Sequence, residues 1–168
     1  MLKVKLEKDA IFKSINLEDS GYDVCALGYR RVVNSNLMDP EQIDSFGVDI
    51  SPHETLLLLT GVYLEMPEKE DKGEYYEILE AQARPRSGIS LKESKVAILG
   101  TIDNTYRGQV GIILHNSGND IITIKRGDRV AQIVFNKIVK YKNITQIEEL
   151  SESNRGGKGF GSSDANNE

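Results

Sequence analysis

A guanidinium, a hydroxyl and a glycine amide stand side by side at Arg86-Ser87-Gly88. At the mouth of a short helix those donors suit a phosphate, because a guanidinium binds it through two parallel bonds and a helix start adds a favourable dipole. The plainer reading is a turn with a surface arginine. The stretch Arg155-Gly156-Gly157-Lys158-Gly159-Phe160-Gly161-Ser162-Ser163 offers similar donors, with glycines that let the backbone come close. Its plainer reading is a flexible terminus. Phe160 fits that reading poorly, since a lone aromatic in such a tail is useful where it can stack on a planar ligand. Asp103 lies in a turn between Val96–Leu99 and Tyr106-Arg107-Gly108, either as a structural cap or as a candidate general base. Asp23 reads as a half-buried carboxylate at a strand edge. Cys25 reads as a small buried apolar group, and His53 and His115, with no Ser/His/Asp arrangement around them, as structural.

The elements that must position these groups are short β-type runs. Strands are expected at Leu2–Leu6, Tyr22–Ala26, Val48–Ile50, Thr55–Glu65, Tyr75–Arg84, Gln109–His115, Asp120–Ile124 and Arg129–Tyr141, with turns at Ser51-Pro52, Asn116–Asn119 and Arg126–Asp128. Many short strands at this spacing predict an all-β sandwich or jelly-roll-like barrel. One short helix is expected near Ile89–Lys95. The polar segment Arg30–Ser45 could hold a helical turn at Asp39–Ile43, and Pro67–Glu74 reads as a charged hairpin tip. Residues 1–150 are read as the domain. The tail 151–168 carries too few apolar groups to offset its ordering entropy and is expected to be flexible.

The chain has 168 residues, 21 Lys+Arg against 26 Asp+Glu, a formal charge of -5 and 39% hydrophobic residues. That composition suits a globular domain, of a size that buries roughly 70% of its unfolded surface. One cysteine cannot form an internal disulfide, and no Cys/His spacing suggests zinc. No apolar run resembles a signal peptide or a membrane span, so no membrane partner is expected. The negative charge argues against direct nucleic-acid binding. An anionic ligand must then meet a local cationic cluster or a metal.

Five stretches, taken together, change these readings. They are Asp19-Ser20-Gly21-Tyr22-Asp23-Val24, Arg84-Pro85-Arg86-Ser87-Gly88, Gly100-Thr101-Ile102-Asp103-Asn104-Thr105-Tyr106-Arg107-Gly108, Gly127-Asp128-Arg129-Val130-Ala131-Gln132-Ile133, and the tail 155–163. In this order and at these separations they resemble the five signature motifs of the homotrimeric dUTPases, phage and viral members included. The resemblance implies a distorted jelly-roll β-barrel and hydrolysis of dUTP to dUMP and pyrophosphate by water attack on the α-phosphorus, with Mg²⁺ as cofactor. It also implies the family's task of limiting uracil incorporation into DNA and supplying dUMP for dTMP synthesis, in the cytoplasm (a host's, for a phage or viral member).

Carried over, Asp103 is the general base and Asp23 holds the metal through water. Arg86, Ser87, Gly88 and Gln132 contact the phosphates, while Arg129 is either a further contact or a structural partner of a carboxylate. A hairpin from Gly100 to Tyr106, Ile102 included, forms the pyrimidine pocket, with Tyr106 under the deoxyribose. Phe160 stacks on uracil, and Arg155, Gly161, Ser162 and Ser163 close over the phosphates. The family pattern is a homotrimer with sites shared between copies.

Departures from that pattern are Val96–Leu99 where many relatives carry an Asn, Lys158 where Gly is frequent, a tail without the usual closing Gly, and Arg30–Ser45. That last segment looks like an insertion, either a decorative loop or a surface for a regulatory protein. The alternatives are a dCTP deaminase, or a bifunctional deaminase–dUTPase, of the same fold, and a dUTPase-like regulatory switch.

Overall fold

The computed structural model describes residues 1–86, 95–98, 100–154 and 156–157, and every regular element among them is a strand. In chain order these are Lys3–Leu6 (β1), Phe12–Lys13 (β2), Tyr22–Cys25 (β3), Gly28–Arg30 (β4), Val32–Val33 (β5), Asn36–Leu37 (β6), Glu41–Gln42 (β7) and Val48–Ile50 (β8). Then come Thr55–Glu65 (β9), Glu70–Asp71 (β10), Tyr75–Arg84 (β11), Lys95–Ala97 (β12), Gly100–Ile102 (β13), Gln109–Asn116 (β14), Ile122–Ile124 (β15) and Arg129–Tyr141 (β16).

One six-stranded sheet runs β12-β14-β9-β4-β7 with β1 also on β9; the other runs β10-β11-β16-β3-β2 with β13 also on β11. Alternate side chains of β9 and β14 (Leu56, Leu58, Ile112, Leu114) meet Val24, Ala81, Ala83 and Ile133 of the second sheet in one core. The all-β jelly-roll expectation holds. No helix among the described residues is long and apolar enough to cross a membrane.

One local expectation changes, and another lies largely outside the described residues. The helix placed near Ile89–Lys95 falls outside the described residues except for Lys95, which begins β12. The helical turn at Asp39–Ile43 is absent, because β7 pairs along the free edge of β4 and the Ile43 amide donates to the Leu27 carbonyl at 3.1 Å. Edge pairing and burial of the Ile43 side chain outweigh the few bonds of an isolated turn. Gly28 permits that approach: a β-carbon there would sit 2.6 Å from the Glu41 carbonyl oxygen. The rest of the segment is a hairpin, β5–β6, whose two-residue loop Asn34-Ser35 has positive φ at both positions (51° and 65°), as a type I′ turn requires.

The turn end of the barrel hangs on Asn116, which is fully buried. Its side-chain amide donates to Ile50 O (3.0 Å) and Asp120 O (2.8 Å), and its carbonyl oxygen accepts from Gly118 N (3.0 Å). Its main chain bonds Glu54 O and His53 N. Asn116→Ala leaves those buried groups unpaired and is expected to cost about 2–4 kcal/mol in denaturant unfolding. A loss below about 1 kcal/mol would contradict this account.

Candidate active site

Strands β3 and β16 place Asp23 opposite Gln132, and β11 places Arg84 opposite Gln132 in the same row. Two residues past Arg84 the chain turns Arg86 back over this row. The Asp23 carboxylate, 14% exposed, accepts from Arg86 Nε at 3.0 Å and from Arg129 Nη1 at 3.1 Å. Of its two expected roles, Arg129 takes that of a partner of the Asp23 carboxylate. Gln132 Nε2 reaches the Pro85 carbonyl at 3.5 Å. Two guanidiniums on one carboxylate leave a local surplus of positive charge within a chain of charge -5. Such a focus attracts an anion without a broad basic face.

The second group gathers around Asp103. β13 pairs with β11, Ala81 opposite Ile102 and Ala83 opposite Gly100, so Gly100–Tyr106 is not a two-stranded hairpin but a crossover turn from one sheet to the other. The Tyr106 amide closes the turn on the Asp103 carbonyl at 3.0 Å. The Tyr106 ring folds over Gly108, where a β-carbon would lie 2.3 Å from the phenol oxygen, and its hydroxyl donates to Gln109 O at 3.0 Å. Asp103, Tyr106, Gly100 and Ile102 line one cleft of about 730 Å³. The Ile102 side chain is buried, so its main chain is what it offers a ligand.

Residues far off in sequence build the other walls of this cleft. Glu7 accepts from Tyr63 Oη (2.7 Å) and Gln109 Nε2 (3.2 Å), and that bond to Glu7 holds the Tyr63 phenol above its ordinary pKa. Leu37 and Pro40, from the segment 30–45, also reach the cleft. No local pattern marks Glu7 or Tyr63, and only the pairing of β1 with β9 brings them here.

The two groups lie apart. Asp103 and Asp23 are separated by three interstrand steps and about four residues along the strands, roughly 20 Å in all. Ser87, Gly88, Arg155, Lys158, Phe160, Gly161, Ser162 and Ser163 lie outside the described residues. Among the described residues no group of three or more His, Cys, Asp or Glu could cage a metal.

Residues 47–164 match the dUTPase family model. The deoxyuridine 5'-triphosphate nucleotidohydrolase of Gloeothece citriformis is 35% identical over 166 residues, covering 96% of this chain and 94% of the relative. That of Clostridium tetani is 46% identical over 116 residues, 67% of this chain and 72% of the relative. Among solved structures, the Staphylococcus bacteriophage 80alpha dUTPase with dUPNHPP superposes with a TM-score of 0.73 at 27% identity, over 96% of this chain and 97% of that one. The first-motif residues, Asp23 included, precede the family-model match but fall within the span shared with a relative matched nearly end to end. The chain belongs to the dUTPase family, and its activity is that of a dUTP diphosphatase.

Proposed function

We propose that dUTP is cleaved by water held and deprotonated by Asp103, in a site where Asp103 of one copy faces the Asp23–Arg86–Gln132 group of another. The water oxygen bonds to the α-phosphorus, its proton passes to the Asp103 carboxylate, and the bridging oxygen leaves with pyrophosphate. A positioned base of this kind contributes about 10²–10⁴-fold. The main chain from Gly100 to Ile102 meets the pyrimidine, Tyr106 lies against the deoxyribose, and Arg86 and Gln132 meet the phosphates. Ser87, Gly88 and the tail residues Arg155, Phe160, Gly161, Ser162 and Ser163 complete the enclosure in this reading. The product is dUMP for dTMP synthesis, and removal of dUTP keeps uracil out of DNA.

The observation that carries the shared site is the strand order, which sets the two groups three strands apart, on the order of 20 Å by strand spacing and longer than a triphosphate. The apolar pattern supports it. Leu56–Leu59 and Val110–Leu114 are apolar on both faces of their strands, which suits strands covered on both sides. Yet Ile98 and Ile113 stand 42% and 41% exposed around the Asp103 cleft. Past β16, Ile144, Ile147 and Leu150 are exposed on an irregular arm leading to the tail. A homotrimer that lays these surfaces against neighbouring copies completes each site.

The described residues fit a hydrated Mg²⁺ carried by the nucleotide. When bound, the ion would neutralise charge on the phosphates, and Asp23 is the carboxylate placed to meet its water shell. The hairpin β5–β6, with Val32, Val33, Leu37 and Met38 about half exposed, is the surface proposed for a regulatory protein.

The test supplies dUTP, dCTP or UTP with Mg²⁺ in heavy-oxygen water. Pyrophosphate from dUTP alone, with the label in dUMP, is the expected result. Label in pyrophosphate would overturn attack at the α-phosphorus, ammonia from dCTP would indicate the deaminase, and no product would indicate the regulatory switch.

A further inference from the structure

The edge of β11 is covered discontinuously. β10 pairs with Tyr76 and Glu77, β13 pairs with Ala81 to Ala83, and neither reaches Leu79. Continued past Ile102, the β13 register would set Asn104 opposite Leu79. The chain turns away at Asp103 instead, giving up that ladder bond. The Asn104 side chain restores it: Nδ2 donates to Leu79 O at 3.1 Å and to Pro67 O at 2.9 Å. One amide thus ties the turn to β11 and to the β9–β10 connection, while Arg107 Nη1 donates to Asn104 O (2.7 Å) and Tyr106 O (3.0 Å) from the other side.

The geometry points to Asn104 as the positioning residue for Asp103. Asp103 is exposed at the cleft and makes no side-chain bond to another described residue, so its carboxylate goes where its backbone is pinned, and the adjacent amide is what pins that backbone to the sheet. Asn104 touches no substrate in this reading, which rests on Asp103 being the general base. A base must meet its proton within hydrogen-bond reach, and a misplacement of about 1 Å costs on the order of 10²-fold in rate.

The experiment measures dUTP turnover by the full chain carrying Asn104→Ala or the isosteric Asn104→Asp, which keeps the shape but presents acceptors to two carbonyls. Both are expected to lose kcat by about 10²-fold with KM within about threefold. On an Asp103→Asn background, Asn104→Ala is expected to lower kcat no further, because the base it positions is gone. A merely structural residue would lower the melting temperature and leave kcat per folded enzyme intact, and that result overturns the proposal. Losses that multiply in the double variant overturn it too. If Asp103→Asn is inactive while both Asn104 variants turn over normally, this inference alone fails. If Asp103→Asn turns over normally, the general-base reading fails and takes this one with it. Should Asn104→Ala not fold, Asn104→Asp carries the same kinetic comparison.

Discussion

Asp103→Asn is expected to lower kcat for dUTP by about 10³-fold or more while leaving nucleotide affinity within a few-fold. The substitution preserves side-chain volume and leaves the turn's bonds in place, because Tyr106 N closes on the Asp103 main chain and Asn104 anchors through its own amide. Only the ability to take a proton from water is lost. Steady-state kinetics alongside titration with a non-hydrolysable dUTP analogue separates the two effects. Turnover within tenfold of the parent would remove Asp103 from the chemistry, and a parallel collapse of affinity would make it a binding group.

Asp23→Asn is the second large effect, for a different reason. Arg86 and Arg129 lie 3.0 and 3.1 Å from the two oxygens of this carboxylate, with Asp23 only 14% exposed. Without the anion two guanidiniums face each other uncompensated, at a cost on the order of 1–2 kcal/mol, given their partial exposure. The expected loss in kcat/KM is about 10²-fold or more, since Arg86 no longer has a fixed place. The two inactive variants also test the shared site. In mixed assemblies of Asp103→Asn and Asp23→Asn chains, about a quarter of the sites pair an intact Asp103 with an intact Asp23 from the neighbouring copy. Co-expression should therefore restore activity near that fraction. A mixture as inactive as its parts would show that each chain holds both groups of its own site.

Much of this architecture was legible in the chain. Val48–Ile50, Thr55–Glu65, Tyr75–Arg84 and Arg129–Tyr141 are strands to the residue, because alternation and turn punctuation both bound them. At Asp39–Ile43 polar residues and a proline conceal an edge strand, because its partner, β4, is not itself marked by periodicity. At the site, Asp23, Arg86, Asp103, Tyr106 and Gln132 were legible as motif members, but not their division into two separate groups. That division follows from β13 pairing with β11 while Asp23 sits three strands away, a long-range fact absent from local spacing. The role of Asn104 is not legible in its motif, since its partners Pro67 and Leu79 become neighbours only through the sheet.

The carboxylate between Arg86 and Arg129 also bears on selectivity among anions. In the free protein Asp23 engages both guanidiniums, keeping them oriented and partly discharged. An incoming anion must compete with an internal one that pays no translational entropy. Binding therefore draws on the difference between two pairings rather than on the full attraction of a bare cation. In the proposed site, chloride and other singly charged ions are expected to gain little from such an exchange, whereas a polyphosphate, with several oxygens to offer at once, gains more.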